Sequence, residues 1–443
     1  MNRRFHRNGS DSGSVLIVVM IVCLALVSLT LVLGHTMLLA YRGSDNELAG
    51  RQADLAIEGA AQYAEAVLGN VDMPGEMPDL SNYQYQAVPM GEAKFWFIGE
   101  PDPSDTSNQV AFGLVDEASK LNLNTATETM LENLPGMTDD LAQAIVAWRT
   151  SGTASTSSTS SSSTSSANEG TAVKAAPFES VEELAQVDGG TDMLTLYGND
   201  TNLNHVLDPE ESSGGVTSFA PGLLEYVTVF SREPNVMASG SNRVNVTQTS
   251  GALTSLLNTT FGTTRGGQIA AKIASGAAPK SVLEFYMKSG MTAAEFGEIS
   301  PELTSTNGAY SVGLINVNSA SETVLECVPG ITQTTAEQIV SGRTGQAQTS
   351  GTTEPNLAWV APILGPAASA QAGPYLTAET FQVSADIAAV GRHGRGYRRT
   401  LFVIDTSNGT PQIVYRRNLA GLGWALGSEE RDALAQDEEK ATP

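Results

Sequence analysis

The side chains that usually carry enzyme chemistry are scattered along this sequence. The four histidines lie at positions 6, 35, 205 and 393, and neither a Gly-x-Ser-x-Gly nucleophile elbow nor a metal-ligand cluster occurs. Cys23 lies in a hydrophobic segment and Cys327 about 300 residues later, so we expect no disulfide between them. Cys327 is expected to be a small buried apolar residue. The sequence therefore gives little support to a hydrolase.

Two loops carry carboxylates at a spacing that an oxygen-ligated cation can use. They span Asp102–Asp105 and Asp188–Asp192. Neither has a complete ligand set, and solvated loop acids account for the same pattern. The sequence therefore assigns no metal ligands and no certain cofactor.

The chain is strongly acidic. It has 48 aspartates and glutamates against 24 lysines and arginines, which gives a formal net charge of −24. Such a charge keeps a protein soluble and repels polyanions. We therefore expect nucleic acid to be a poor partner.

A long apolar segment follows a basic N-terminus. Arg3, Arg4 and Arg7 precede it, and Ser14–Tyr41 contains no charged residue. Val15–Leu33 alone has 19 residues, enough to cross the hydrocarbon core of a bilayer. The basic flank predicts that residues 1–13 start in the cytoplasm. The sequence therefore predicts a single-pass membrane protein with most of its chain on the other side.

Three kinds of processing compete for this N-terminus. A cleaved secretory signal would need a shorter apolar core followed by a small-x-small site, and neither is clear. A plain anchor would keep residues 1–13. A prepilin-like leader would be cut after Gly13, leaving Ser14 as the new N-terminus. Gly9 suits such a cut less well, because Asp11 would then lie in the hydrophobic part.

An amphipathic stripe continues beyond the apolar segment. If one helix runs from Ser14 to Gly69, it is about 84 Å long. Half of it would lie in lipid and half would pack its stripe against a globular head. The stripe consists of Ala53, Ala56, Ile57, Ala60, Ala64, Val67 and Leu68.

The middle of the chain contains a duplication. Residues 121–149 read LNLNTATETMLENLPGMTDDLAQAIVAWR, residues 315–343 read INVNSASETVLECVPGITQTTAEQIVSGR, and the two align without a gap. The pattern predicts two helix-hairpin-helix units, each with a capping box before its first helix and a Pro-Gly turn after it. The predicted caps are Thr125, Glu128, Ser319 and Glu322, and the predicted turns are Pro135, Gly136, Pro329 and Gly330.

Weaker signals lie between the two copies. A third copy with slipped spacing is indicated from Val244 to Ile273. Ser180 and Glu183 have capping-box spacing and predict another helix. Residues 150–170 form a Ser-rich, low-complexity loop that can bury nothing, and we interpret it as a surface insertion.

Helix-hairpin-helix units often bind phosphates through backbone amides at a Gly-rich turn. Here the usual second turn glycine is replaced by Thr138 and Thr332, and Asp139 and Asp140 follow directly. Residues 121–149 contain four acids and one arginine, so counterion release would contribute little affinity. The sequence therefore favours helical packing or protein contacts over DNA binding.

Strand-like segments flank the duplicated region. They are indicated by alternation and by aromatic or β-branched residues, with a turn at Ser407-Asn408-Gly409. Glu225–Phe230 could add a strand, and the basic stretch Arg392–Arg399 is expected to be a solvated edge strand. The predicted strands are Tyr83–Val88, Lys94–Ile98, Val110–Asp116, Thr380–Val390, Arg398–Asp405 and Gln412–Arg417.

The order of these features resembles the general secretion pathway protein K family, the large minor pseudopilin of type II secretion systems. The Gly13-Ser14 junction and both hairpin units carry the resemblance. Val18 stands at the fifth position after the junction, where most pilin-like proteins have glutamate and this family does not. The C-terminal stretches Phe402–Asp405 and Pro411–Arg417 complete it. The Ser-rich insertion and the acidic tail depart from the family pattern.

The resemblance implies an α+β fold in which a long N-terminal transmembrane/pilin helix packs on an antiparallel sheet. A large inserted, mainly helical domain with the two helix-hairpin-helix units splits that sheet. The implied domains are a leader (1–13), a transmembrane helix (14–41), a helix with the first strands (42–115), the insertion (116–350), the returning sheet (351–427) and an acidic disordered tail (428–443).

The resemblance also implies a function. A prepilin peptidase would cut after Gly13 and methylate Ser14, and the protein would cap a periplasmic pseudopilus from the inner membrane, helping to start its assembly. Implied partners are other minor pseudopilins, the inner-membrane assembly platform, and cargo or the outer-membrane secretin. Some family members bind calcium in the head, with ligands unassigned here. A second class of function is a membrane-anchored, competence-type nucleic-acid receptor, which also uses such hairpins.

Overall fold

The computed structural model describes residues 12–101, 108–150, 174–189, 191–212, 218–237, 239–248, 250–343 and 356–441. Its helices are α1 (Ser12–Leu68), α2 (Glu128–Leu131), α3 (Asp139–Arg149), α4 (Met193–Tyr197), α5 (Gly251–Ala274), α6 (Val282–Ser289), α7 (Ala293–Ile299), α8 (Glu322–Glu326), α9 (Gln333–Gly342), α10 (Ala361–Ala372) and α11 (Gly427–Ala441).

Fourteen strands occur in the described residues. They are β1 (Val88–Met90), β2 (Ala93–Ile98), β3 (Val115–Asp116), β4 (Leu121–Asn122), β5 (Val227–Thr228), β6 (Arg232–Pro234), β7 (Val244–Asn245), β8 (Leu303–Thr304), β9 (Tyr310–Val312), β10 (Ile315–Asn316), β11 (Leu376–Thr377), β12 (Gln382–Val390), β13 (Arg398–Asp405) and β14 (Gln412–Asn418).

Helix α1 packs against the main sheet with the predicted stripe. Of the seven predicted residues only Val67 is not fully buried, and Ala49 and Ala61 extend the stripe. The small alanine side chains let the helix lie close to β2, β12 and β13, where Phe95, Phe97 and Phe402 fill the interface. The helix was expected at 14–69, and the structure has it at Ser12–Leu68.

The main sheet is antiparallel, with strand order β1-β2-β12-β13-β14, and β3 also pairs with β12. Strands β1 to β3 come before the helical region of the chain and β12 to β14 come after it. The predicted α+β class, with a long helix on an antiparallel sheet split by a mainly helical insertion, is therefore confirmed.

The insertion ends later than predicted. Residues 357–378 belong to the core of the inserted domain, together with both hairpin units, and the returning sheet starts only at Gln382. The boundary at 350 was wrong because the closing strand β11 pairs with β10 inside the insertion, not with the sheet. The inserted domain therefore extends from about Asp116 to about Thr380.

The insertion repeats one strand pairing three times, each time parallel: β4 with β5, β7 with β8, and β10 with β11. In each pair the residue after the opening strand donates its N–H to the carbonyl of the closing threonine. These hydrogen bonds, from Leu123, Val246 and Val317, measure 2.8, 2.9 and 3.0 Å. The third copy predicted from Val244 is therefore real. The change in spacing that distinguishes this copy from the other two lies within helix α5, which kinks at Gly262.

Two predicted strands are shorter than expected. Residues 83–87 are irregular, and β1 begins only at Val88, because the Tyr83 hydroxyl accepts the Leu114 N–H at 2.9 Å and Ala87 has a positive φ of 51°. Between 110 and 116 only Val115–Asp116 is a strand, and Phe112 makes an isolated bridge to Ile98. The strands predicted around 94–98, 380–390, 398–405 and 412–417 are present, and the 225–230 segment contributes β5.

The acidic tail is not disordered where the structure describes it. Residues Gly427–Ala441 form helix α11, and Leu434 is buried against the outer face of the sheet beside Trp96. Glu429 and Glu430 accept hydrogen bonds from Gln109 and Gln86. The disordered tail was predicted from its acidic composition, whereas the helix is held by Leu434 together with hydrogen bonds from Gln86 and Gln109 to its glutamates.

Asp116 joins the sheet to the insertion. Its carboxylate is buried and accepts from Ser319 at 2.5 Å, Thr380 at 2.7 Å and Asn316 at 2.9 Å, and from the Ala118 N–H at 2.8 Å. Burial raises the pKa of Asp116 from 3.8 to about 6, although these donors favour the ionised form.

The raised pKa of Asp116 predicts that the stability of the protein depends on pH. Because the folded pKa lies above the unfolded one, the native state binds the Asp116 proton more tightly, and the unfolding free energy falls as pH rises from about 4 to about 6. The loss is on the order of 3 kcal/mol. Asp116→Asn should remove this part of the pH dependence in urea titrations at pH 4.5 and 7. Asp139→Asn, an exposed hairpin carboxylate, is the control and should leave it in place.

Candidate functional site

The N-terminal part of α1 stands free of the rest of the chain. Every residue from Val15 to Ser44, which we call the stem, is exposed, and α1 is long and apolar enough to cross a membrane. Val18 is 59% exposed on it. Gly13 and Ser14 lie in the first helical turn, and residues 1–11 lie outside the described residues. Cleavage after Gly13 and methylation of Ser14 stay predictions.

The basic stretch Arg392–Arg399 forms ion pairs with α1 just beyond the end of the stem. Asp45 is buried between Arg392 and Arg395, the latter at 2.8 Å, and Arg398 pairs with Asp54 at 3.2 Å. The expectation of a solvated edge strand was wrong, because β13 lies between β12 and β14. The acids that neutralise the stretch are some 340 residues away in sequence, so no local pattern indicated them.

The helix caps of the hairpins differ from those predicted. The N-caps are Thr127 and Ser321, whose hydroxyls accept the Met130 and Val324 N–H groups, and Glu128 and Glu322 are only the first helical residues. The predicted caps Thr125 and Ser319 lie in a turn, and each helix therefore begins two residues later than predicted. The turn is formed by the asparagine three residues before each predicted cap. Asn122 and Asn316 accept the N–H groups of Asn124 and Asn318, each at 2.9 Å.

The same spacing marks the third copy. The asparagine of each opening strand (122, 245 and 316) is followed five residues later by the N-cap of the next helix (127, 250 and 321). The predicted helix at 180–183 is instead a 3-10 helix, Val181–Gly189, and Glu183 accepts from the Glu179 N–H rather than from Ser180.

The hairpin turns leave little that could hold a phosphate. Gly136 and Gly330 have φ values of +73° and +88°, which glycine tolerates best. The threonines that replace the second turn glycine cap the following helices, since Thr138 and Thr332 accept the Leu141 and Thr335 N–H groups. The hydroxyls of these threonines therefore serve the following helices, and neither residue offers the flexible glycine backbone of a phosphate-binding turn.

The arginine at the end of each unit is also committed. Arg149 donates to the carbonyls of Leu123 and Ala126, and Arg343 donates to those of Val317, at 2.9 Å, and Ala320. In both copies the guanidinium ties the second helix back to the opening strand. The arginine therefore has a structural role in both units. The hairpin turn of the first unit is exposed and is followed by Asp139 and Asp140, which make it acidic.

The two loops considered for metal binding gain no support. Asp102–Asp105 lies outside the described residues, and in Asp188–Asp192 the last residue is the N-cap of α4, accepting the Thr195 N–H at 2.7 Å. Among the described residues no three His, Cys, Asp or Glu side chains form a cluster that could hold a metal.

Another loop, which the sequence did not single out, contains a group of buried polar side chains. Residues 200–211 read DTNLNHVLDPEE. Asp200, Asn202, Asn204 and Asp208 are all buried, with exposures of 1%, 6%, 0% and 8%. The amide nitrogens of Asn202 and Asn204 both reach Asp208 Oδ2, at 2.7 and 2.9 Å. The Asp and Asn residues at alternate positions, Asp200, Asn202 and Asn204, were the available signal.

The loop is fixed to the main sheet. The buried guanidinium of Arg399 on β13 donates to the carbonyls of Asn202 and Leu203 and pairs with Asp386 on β12. His205 has a positive φ of 65°, and its Nδ1 lies 2.8 Å from a Glu225 carboxylate oxygen. Burial alone would lower the pKa of His205, but the Glu225 carboxylate raises it.

Cys327 is buried, as predicted. Its Sγ lies 3.3 Å from the Thr323 carbonyl, and burial raises the pKa of the thiol to about 12. A thiol held protonated in this way is a poor nucleophile.

Comparisons with known proteins support the motif and leave the family open. A helix-hairpin-helix motif model matches residues 116–157. No curated protein matches the chain. Among solved structures, a chain of the GspK-GspI-GspJ complex from the enterotoxigenic Escherichia coli type 2 secretion system is similar, with 11% identity over 85% of this chain and 99% of that chain, and a TM-score of 0.34. We draw no function from a likeness at that level.

The arginine contacts can be tested by substitution. Arg149→Met leaves two carbonyls without their donor, and it should lower the unfolding free energy by about 2 kcal/mol in urea titrations. Arg431→Met is the matched control, because Arg431 makes an exposed pair with Glu210 and should cost less than about 1 kcal/mol. Equal losses in the two variants would contradict the structural role.

Proposed function

We propose that this protein is a minor pseudopilin of a type II secretion system that caps the tip of a periplasmic pseudopilus. In this role it has no enzymatic activity. It is held in the inner membrane by its stem, carries its bulk in the periplasm, helps to start pseudopilus assembly and so supports export of folded proteins.

The observation that carries this proposal is the division of α1 into two halves. Val15–Ser44 has no partner within the described chain, whereas the remainder, from Asp45, is packed on the sheet through a stripe of alanines. A helix that is bare at one end and docked at the other suits a filament subunit, because the bare halves of neighbouring subunits can bundle. The Gly13-Ser14 junction at the start of this helix supports the same role.

Val18 supports a position at the tip. A glutamate here would carry a charge that is costly in lipid unless a neighbouring subunit's N-terminal amine pairs with it. Val18 cannot form that pair, so the chain is suited to end a stack of subunits. The large inserted domain supports the same position, because a bulky head is tolerated where nothing stacks above it.

The proposed partners follow from this position. Other minor pseudopilins would contact the bare stem and the sheet, the assembly platform would receive the protein in the inner membrane, and a prepilin peptidase would process it. Cargo or the outer-membrane secretin would meet the inserted domain. A nucleic-acid receptor of the competence type gains nothing from the structure, since Arg149 and Arg343 already donate to backbone carbonyls and the acidic Asp139 and Asp140 follow the first hairpin turn.

The processing step has a direct test. We expect the membrane-extracted protein to begin at Ser14 and to carry one methyl group on its amine, as measured by intact-protein mass spectrometry. Gly13→Leu should leave the leader attached, because the peptidase requires a small residue before the cut, and Gly9→Leu should be processed normally. An intact Met1 in the wild type would leave only an ordinary anchor.

The role of the head can be tested by a deletion that respects the sheet. Because Asp116 and Val383 are paired neighbours, residues 118–380 can be replaced by a short Asn-Gly-containing turn that leaves β3 and β12 in register. We expect this variant to reach the membrane, be processed at Gly13 and fail to support secretion. Wild-type secretion by the deletion variant would contradict the proposed role of the head.

A further inference from the structure

Helix α11 lies on the outer face of the main sheet but buries very little of its own surface there. Between Gly427 and Gln436, where the structure describes its side chains, Leu434 alone is buried. One turn before Leu434 the chain has Glu430 and Arg431, which are charged. A helix that docks firmly on a protein usually repeats apolar residues at intervals of three and four. Helix α11 lacks such a stripe.

The face beneath α11 is apolar and aromatic. Trp96 and Ile98 of β2 and Ala388 and Val390 of β12 are buried there, in one cluster with Leu434. Their neighbours in sequence, such as Phe97, point to the other side of the sheet and pack against α1. The sheet therefore has a second apolar face, which the chain covers with its own C-terminal helix.

The fit between α11 and this face is incomplete. Trp96 is 0% exposed, and its indole N–H has no hydrogen-bond partner among the residues that the structure describes. A buried donor without an acceptor is costly. A cleft of about 410 Å³, lined by Gln86, Gln109, Phe112 and Leu426, also remains beside the start of α11. The helix thus neither satisfies the donor nor fills the space.

The other contacts of α11 are polar and lie near water. Glu429 and Glu430 accept from Gln109 and Gln86 at 2.9 and 2.8 Å. Arg431 pairs with Glu210 at 3.0 Å, and the two side chains are 50% and 67% exposed. Exposed contacts of this kind contribute little, because water replaces them readily.

The start of α11 is anchored more firmly than the rest. The Trp424 indole donates to the Gly427 carbonyl at 2.7 Å, and the Trp424 carbonyl accepts from Asn202 at 3.0 Å. Gly427 has a positive φ of 73°, which glycine tolerates best. The helix can therefore swing away about Gly427 while the residues before it stay in place.

From the single buried side chain and the unpartnered indole, we propose that α11 is a displaceable cover and that the face beneath it binds an amphipathic helix of a partner protein. That α11 lies there shows that the face accommodates a helix. The partner helix has acids in its first turn, because Gln86 and Gln109 donate at that place. It has apolar residues at intervals of three and four, which contact Trp96 and Trp424, and an acceptor for the Trp96 indole.

Displacement of α11 would reach the joint between head and stem. The helix packs on the turn Arg392–Gly394. In that turn Arg392 pairs with Asp45, which is buried on α1 where the stem ends. Binding of the partner helix therefore removes the support of the turn that holds the stem.

The cover can be locked with a disulfide. A Cβ at Gly394 would lie 3.4 Å from that of Leu434, close to the usual disulfide spacing. The variant is Gly394→Cys with Leu434→Cys, and Cys23→Ser removes the exposed cysteine of the stem, which leaves the buried Cys327. Because φ at Gly394 is +70°, cysteine is strained there. The oxidised and reduced forms of this one variant are therefore compared with each other.

The probe is a fluorescein-labelled synthetic peptide of residues 427–443 with Arg431→Leu, titrated against the full-length variant in dodecyl maltoside and followed by fluorescence anisotropy. We expect saturable binding to the reduced form and at least tenfold weaker binding to the oxidised form. Equal binding to the two forms, or binding to neither, would overturn the proposal.

A second peptide tests the chemistry of the partner. Arg431 lies 5.5 Å from the centre of the Trp424 ring, so leucine at this position adds an apolar contact with the face. Asp432 is exposed, and the same peptide with Asp432→Leu in place of Arg431→Leu gains no such contact. We expect the Asp432→Leu peptide to bind the reduced form at least fivefold more weakly. Equal affinities would overturn the assignment of an amphipathic helix to this face.

Hydrogen exchange tests the cover without engineered cysteines. In the wild-type full chain we expect the amides of α11 to exchange at least tenfold faster than those of β12, because the helix opens locally. Leu434→Ala should speed exchange in α11 at least tenfold more, and Asp432→Ala, at an exposed position, should leave it unchanged. Equal protection of α11 and β12 would overturn the proposal.

One further outcome concerns the identity of the occupant. A dimer that forms in the reduced variant and not in the oxidised one, measured by light scattering in detergent, would assign the face to α11 of a second copy and so overturn the choice of a partner protein. None of these measurements depends on secretion, so failure here leaves the proposed pseudopilin role standing.

Discussion

The antiparallel pairing of β3 with β12 is the constraint on which the rest of the structure depends. Val115-Asp116 and Val383-Ser384 must lie side by side, although the whole inserted domain separates them in sequence. Closing so long a loop in one step would be slow and entropically costly. The three parallel strand pairs divide that span, since each pair places the two ends of one repeat side by side. The sheet therefore receives a domain whose termini are already close.

Buried carboxylates secure this junction. Asp116 accepts from the second hairpin unit and from Thr380, and the adjacent Glu117 accepts from Ser384 of β12 and from Thr228 of β5, the strand that pairs with the first unit. Two neighbouring residues thus hold both hairpin units against one sheet strand. Burying an ionised carboxylate costs free energy unless hydrogen-bond donors surround it. These two acids are therefore stable only when the insertion lies where all their donors reach them. A shift of one residue would leave charges without donors, which makes the docking specific.

Sequence patterns predicted what depends on local periodicity. The alanine stripe of α1 and both hairpin units could be read directly, because each repeats at helical or fixed spacing. The caps were misplaced by two residues, since the turn at Asn122 and Asn316 competes with the helix. The role of Arg392–Arg399 was hidden because Asp45 lies far away in sequence. The burial of the polar 200–211 loop was not predicted, because Arg399, which donates to the carbonyls of Asn202 and Leu203, lies almost 200 residues away in sequence.

The apolar segment of the stem is longer than the hydrocarbon core of a bilayer is thick, which is a hydrophobic mismatch. The uncharged segment of α1 that contains most of the stem, Ser14–Tyr41, is about 42 Å long as a helix, whereas the hydrocarbon core of a bilayer is about 30 Å thick. A solitary helix would have to tilt by about 45° to hide that length, more than transmembrane helices usually do. Leu38, Leu39 and Tyr41, near its end, would otherwise meet water. The stem thus gains more from lying against other helices than from standing alone in lipid.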